Sequence, residues 1–199
     1  MARFCTGQEP KLTQKTELAG SLVLLWLLAF NSTACGPIAL TRPVTKLGLV
    51  ATFEGTQRAR GYEALYAAKL ALREQNAAGG VSGWQVELVA LDQDDQPELM
   101  VRQARALAVD PDVTYVIGFA TVSETGPLQE QYAALGLPVE FVDPSATADL
   151  PLDLAFAEHY RALSNGVQPG ALATRVYLAA KSALARIAER VRTQGRPAR

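Results

Sequence analysis

Cysteine and histidine are nearly missing from this chain: two cysteines, Cys5 and Cys35, and one histidine, His159, in 199 residues. Both cysteines fall in the first 35 residues, so the folded body has no disulfide and no cysteine-based metal site to build on. A single histidine argues against a His-rich zinc centre and leaves a Ser-His-Asp triad without support. No sign of charge dominates, because nineteen basic and twenty acidic side chains leave a net charge of −1. That balance gives no reason to expect a nucleic-acid partner, and no block of like charge marks an interaction tail. The G-x-G-x-x-G and G-x-x-x-x-G-K-[ST] fingerprints are absent, so nucleotide binding has no motif behind it. Aromatics are sparse, at 7%.

What is present is a globular composition, 49% hydrophobic and 20% charged, in a chain long enough for one domain with a real core. Alanine and leucine abound, which favours helices packed on a sheet.

The longest apolar run is LVLLWLLAF at 22–30, preceded by Arg3, Lys11 and Lys15. A bilayer-spanning helix needs about 20 apolar residues and a secretory signal's apolar core about 7–15, so the run suits a signal. Small residues Ser32, Thr33 and Ala34 then precede Cys35, an ending that resembles a bacterial lipobox and implies lipid modification of Cys35. Ser32 stands where a lipobox usually carries Leu. A signal cut after Ala34 and an uncleaved anchor extended through Leu40 are the other two readings. All three place the body outside the cytoplasm.

Residues 36–45 read as a linker. Beyond it, strand-like and helix-like segments alternate: strands over Lys46–Ala51, Trp84–Leu91, Val113–Phe119 and Pro138–Val142, and helices over Arg60–Ala78, Pro97–Val109 and Pro127–Leu135. Gly79 and Gly80 suit the end of the first helix, and Pro97 the first turn of the second. Leu99, Ala106 and Leu107 are inward candidates on that second helix. Repeated βαβ units predict an α/β fold, a parallel Rossmann-like sheet with helices on both faces. Two further helices, Leu152–Leu163 and Gly170–Arg192, follow without another strand. The second carries Val176, Ala180, Ala183, Leu184 and Ile187 on one stripe. The domain reading is thus a signal over 1–35, a linker to 45, one lobe over 46–192 and a frayed tail over 193–199.

Ligands of open parallel sheets sit beyond the carboxyl ends of the strands. Arg58 and Arg60 follow the first strand and have the charge to grip a carboxylate, although both also read as solvated loop arginines. Asp92, Asp94 and Asp95 follow the second, but an EF-hand-type loop from Asp92 would place Pro97 and Gln103 where it needs Gly and a carboxylate. A turn with helix-capping acids is the simpler reading. The loops after the third and fourth strands are rich in hydroxyls: Thr121, Ser123, Thr125, Ser145 and Thr147. With backbone N–H groups they suit a carboxylate or a sugar, and they equally suit plain caps and turns. His159 falls on a helix and reads as a surface residue.

In order and spacing, two stretches resemble the branched-chain amino-acid-binding, leucine-binding-like family of type I extracytoplasmic solute-binding proteins of bacterial ABC importers. KLGLVATFEG with RGYEALYAAKLALREQNAAGGVSGWQVELVALDQDDQP is similar to that family's opening strand, helix, "INxAGG" turn and second strand. VTYVIGFATVSETGPLQEQYAALGLPVEFVDPSAT is similar to its "V-x-x-x-I-G" strand, serine-rich loop and "S-P-x-A-T" segment. The resemblance implies a non-enzymatic, two-lobed protein that closes on a small solute, amino acid or similar, without a cofactor or metal, and delivers it to an ABC permease. It implies solute contacts at Ser123 with Thr125 beside it, and at Ser145, Ala146 and Thr147. Departures occur at Val122, Glu124 and Asp143, where small polar residues are common.

LAFAEHYRAL and LATRVYLAAKSALARI resemble the family's closing helices, which normally follow a second lobe. The chain therefore reads as one lobe with its returning helix and almost no second lobe, so solute binding is expected to be impaired. A membrane-anchored interaction or sensory module with a protein partner is the alternative. An enzyme ranks behind both, and a deletion remnant is the remaining reading.

Overall fold

The computed structural model describes residues 42–93, 97–146 and 153–197. The signal-like segment with Cys5 and Cys35, the acids Asp94 and Asp95, and Thr147 lie outside the described residues. The elements in chain order are β1 (Val44–Ala51), α1 (Arg58–Ala77), β2 (Gln85–Asp92), α2 (Pro97–Val109), β3 (Val113–Phe119), α3 (Val122–Ala134), β4 (Val139–Val142), α4 (Leu154–Leu163) and α5 (Ala171–Gln194).

The four strands are parallel and lie in the order β2-β1-β3-β4. Alternation along each strand sends successive side chains to opposite faces. In β1, Leu47, Leu49 and Ala51 join a core with α1, α4 and α5, whereas Val50 joins one with α2 and α3. Helices therefore cover both faces, as the βαβ pattern predicts. The crossovers leaving β1 and β2 put their helices on opposite faces, so the chain's winding reverses between β1 and β3. Such a reversal opens a crevice at the carboxyl ends of the strands.

The long helix α1 is tied at both ends. A Cβ on Gly61 would lie 1.8 Å from the carbonyl oxygen of Thr52, so only glycine lets α1 pass this close to the end of β1. At the other end Gly79 and Gly80 take φ of 106° and 81°, the left-handed geometry expected of them. Beside them the Asn76 side chain donates to the Val86 carbonyl (2.8 Å) and accepts its N–H (2.9 Å), joining α1 to β2.

Two sequence expectations are corrected. In α2 the buried positions are Met100, Ala104 and Leu107, spaced i, i+4, i+7, while Ala106 is exposed. Helix α3 begins at Val122 and not at Pro127, with Pro127 inside it. The quartet T-V-S-E over 121–124 supplies the reason. Thr121 is the N-cap, and the Glu124 carboxylate reaches back to accept the Thr121 N–H (2.9 Å) and hydroxyl (2.7 Å). These charge-assisted bonds offset the backbone bond that Pro127 removes.

The returning helix α5 packs along α1 and reaches β3 and β4, and its predicted stripe of Val176, Ala180, Ala183, Leu184 and Ile187 is buried. Burying Leu172, Val176, Leu184, Ile187 and Val191 contributes about 10 kcal/mol, the scale of a domain's whole net stability. So α5 belongs to the core of this unit. Among the described residues, no helix is long and apolar enough to cross a membrane.

Candidate functional site

The carboxyl edge of the sheet holds a cavity of about 210 Å³. Every strand end contributes to it: Ala51 from β1 and Thr52 beyond it, Gln93 beyond β2, Phe119 from β3 and Pro144 beyond β4. Gln57, Arg60 and Gly61 from the start of α1 and Leu172 from the start of α5 complete the lining. The lining thus pairs an apolar wall of Ala51, Phe119, Pro144 and Leu172 with four polar side chains, Thr52, Gln57, Arg60 and Gln93. A larger depression of about 580 Å³ lies at the amino edge, around Thr45, Trp84 and Arg196. The carboxyl edge is where the winding reversal leaves room for a ligand.

The Oε1 atom of Gln93 is buried and, among the described residues, has no hydrogen-bond partner. An unpaired buried acceptor costs about 1–3 kcal/mol, and in a cavity wall a water or a ligand donor can reach it. Arg60 brings a positive charge to the same cavity.

Of the sequence-predicted residues that are described, Arg58, Ser123, Thr125, Ser145 and Ala146 are not among those lining this cavity. Arg58 is exposed at the first position of α1, and Arg60, two residues on, is the arginine that lines the wall. Ser123 and Thr125 lie in the first turn of α3 and not in a loop. The Thr125 hydroxyl donates to the Thr121 carbonyl (3.0 Å), and the Ser123 hydroxyl lies 3.1 Å from that of Thr121. Because the Thr121 proton is given to Glu124, Ser123 is the donor of that pair. Beyond β4, Asp143 Oδ1 accepts both the N–H (2.8 Å) and the hydroxyl (2.6 Å) of Ser145. The Ala146 carbonyl accepts from Arg175 of α5. Each of these groups is thus engaged within the protein.

Glu124 and Asp143 stand close enough for the charge of one to act on the other. Hydrogen bonds from the Thr121 hydroxyl and N–H hold the Glu124 carboxyl below its ordinary range. Bonds from the Ser145 hydroxyl and N–H do the same for Asp143, with help from the Arg175 charge. Both are ionised at neutral pH. Asp92, considered above as a cation ligand, instead accepts the Phe53 N–H at 2.6 Å. His159 is 60% exposed on α4, 3.4 Å from Glu74. Among the described residues no group of three or more His, Cys, Asp or Glu side chains is placed to hold a metal ion.

Thr52, Gln57, Gln93 and Phe119 were not marked by sequence reasoning. Their signal was positional, since each is within a few residues of a strand's carboxyl end or a helix start. Nothing in their residue types distinguishes them from ordinary boundary residues.

Comparison with known proteins places the matching stretch. Residues 44–153, more than half of the chain, match the family model described as periplasmic binding protein. A leucine-, isoleucine-, valine-, threonine- and alanine-binding protein of Pseudomonas aeruginosa is 38% identical over 111 residues, 56% of this chain and 26% of that protein. The matched stretch therefore spans about a quarter of that relative's length. Among solved structures, the branched-chain amino acid substrate-binding protein LivJ of Streptococcus pneumoniae, in complex with isoleucine, is 31% identical with a TM-score of 0.45, covering 53% of this chain and 30% of that one. A putative branched-chain amino acid ABC transporter protein of Rhodospirillum rubrum is 26% identical with a TM-score of 0.47, over 58% and 32% of the two chains. None of the three is described as an enzyme. Matched over more than half its length, the chain belongs to the periplasmic binding protein family.

Proposed function

We propose that the protein binds a small zwitterionic solute, a branched-chain or other aliphatic amino acid, as the extracytoplasmic component of an ABC importer. The observation that carries this is the cavity at the carboxyl edge, whose lining includes both Gln93, with Oε1 buried and unbonded, and the Arg60 cation. A ligand ammonium supplies the donor that Gln93 lacks, Arg60 holds the carboxylate, and Ala51, Phe119 and Leu172 receive an aliphatic side chain. The sequence-predicted contacts Ser123, Thr125, Ser145, Ala146 and Arg58 form the outer rim in this reading. Export through the N-terminal signal, a lipid anchor at Cys35 and delivery to a permease complete it. No bond is made or broken, and no cofactor is needed.

In solute-binding proteins that close, affinity comes from burying the ligand on both sides. In the single-lobe reading the cavity is walled on one side, so binding is weak unless a partner or second copy covers it. Calorimetry of the full chain against leucine, isoleucine, valine, threonine and alanine tests the reading. Millimolar to micromolar one-to-one binding is the expected result. No binding to any of the five overturns it, and sub-micromolar binding by a monomer overturns the one-sided wall.

A second reading, docking of a protein partner in the form of a second copy of the chain at the same edge, is favoured by Val122. This side chain is 83% exposed at the first position of α3, and Tyr62, 44% exposed, begins the second turn of α1. A change in sedimentation on raising protein concentration, lost in Val122→Asp, is the result this reading requires.

A further inference from the structure

We propose that Arg175 of α5 is a positioning residue for the candidate site, holding the segment Asp143–Ala146 that follows β4 against the cavity. The proposal rests on the solute-binding reading only for its consequence on affinity. Arg175 lies one turn after Leu172, so a single face of α5 provides both a cavity wall and this side chain. Its Nη1 donates to the Ala146 carbonyl, and its charge acts on the Asp143 carboxylate. Asp143 in turn takes both donors of Ser145, which closes a tight turn around Pro144, the residue of this segment that lines the cavity. The chain of contacts runs from α5 through Arg175 to Ala146 and Asp143, and so to Pro144.

Packing alone does not account for an arginine here. Its Nε is buried without a partner, and among the described residues the Ala146 carbonyl is the hydrogen-bond acceptor its side chain has. A half-buried guanidinium with an unpaired nitrogen is less favourable than an apolar side chain of similar length, unless the bond to the loop is what is being selected. Family match and helix also divide at this point: the match ends at residue 153, while α5 begins at Ala171. The segment that forms the site's edge is thus held by an element outside the matched stretch.

The test compares the full chain with Arg175→Met and Arg175→Lys by NMR, following amide exchange at Ser145 and Ala146 and the titration of the Asp143 carboxyl. In Arg175→Met the Ser145 and Ala146 amides are expected to exchange at least tenfold faster, and the Asp143 midpoint to rise. Amides of α5 from Val176 to Leu184 keep their protection. Arg175→Lys, which retains the charge, returns the Asp143 midpoint toward wild type. Unchanged loop exchange and midpoint in Arg175→Met overturn the proposal. So does equal loss of protection along α5, which would make Arg175 a packing residue. Calorimetry with leucine is the second arm: where the wild type binds, Arg175→Met is expected to bind at least tenfold more weakly, and equal affinity overturns the positioning role. Absence of wild-type binding overturns the solute-binding reading alone, since the loop measurements need no ligand.

Discussion

The carboxylate of Glu63, early in α1, accepts the backbone N–H of Ala173 at 2.8 Å, across 110 residues of sequence. Ala173 is the third residue of α5, whose own N-cap, Gly170, has no side chain to offer. Glu63 therefore supplies from another helix the acceptor that a capping side chain would supply locally, and places a negative charge at the positive end of the α5 dipole. The Tyr160 hydroxyl donates to the Glu63 carbonyl at 3.2 Å, so one residue of α1 receives both closing helices.

Glu63→Ala should lower stability by about 1–3 kcal/mol, because a partly buried N–H loses a charged acceptor. Urea unfolding followed by circular dichroism measures this. Tyr160→Phe, which removes only a bond to a carbonyl, should cost about 1 kcal/mol.

Gly61→Ala should cost about 1–3 kcal/mol or more, since its Cβ would sit 1.8 Å from the Thr52 carbonyl oxygen. Backbone cannot give way as a side-chain tip does, so α1 must move off the end of β1. Thr52 and Gly61 both line the cavity, and solute affinity should fall together with the unfolding midpoint.

Gln93→Leu should separate binding from stability. It removes the unbonded buried oxygen, so the unfolding free energy stays equal or rises by up to about 1 kcal/mol. Leucine binding should weaken at least tenfold in calorimetry, because the ligand ammonium loses its acceptor.

Stability should decline in acid through Glu124. Its folded carboxyl titrates below its ordinary value because the Thr121 hydroxyl and N–H bind the ionised form. A depressed carboxylate contributes fully above its unfolded pKa and loses that contribution as pH falls through the folded one. The acid limb of the stability–pH curve should therefore be shallower in Glu124→Gln. Chemical unfolding at a series of pH values between 2 and 6 (about the carboxylate range) checks it.

Most element types were legible because period and punctuation agree. The fully buried β3, the glycine pair after α1 and the stripe on α5 each carry their own local signal. The start of α3 was misplaced because Pro127 reads as a first-turn residue, whereas T-V-S-E caps the helix one turn and more earlier. At the site, the hydroxyls of Thr121, Ser123, Thr125 and Ser145 that stood out in sequence are engaged by neighbouring groups, and the unbonded acceptor belongs to an inconspicuous glutamine.

By itself the sequence determined the alternation of strands and helices, the two-faced parallel sheet and the edge on which a ligand would sit. These follow from side-chain periodicity and from the geometry of βαβ units, which are properties of neighbouring residues. Only the tertiary structure decided which side chains meet at that edge. Gln93, Arg60, Phe119 and Leu172 share one cavity, and Glu63 and Arg175 tie α5 to it, through contacts between residues far apart in the chain. Such contacts are set by how the helices pack on the sheet, and no local pattern encodes them.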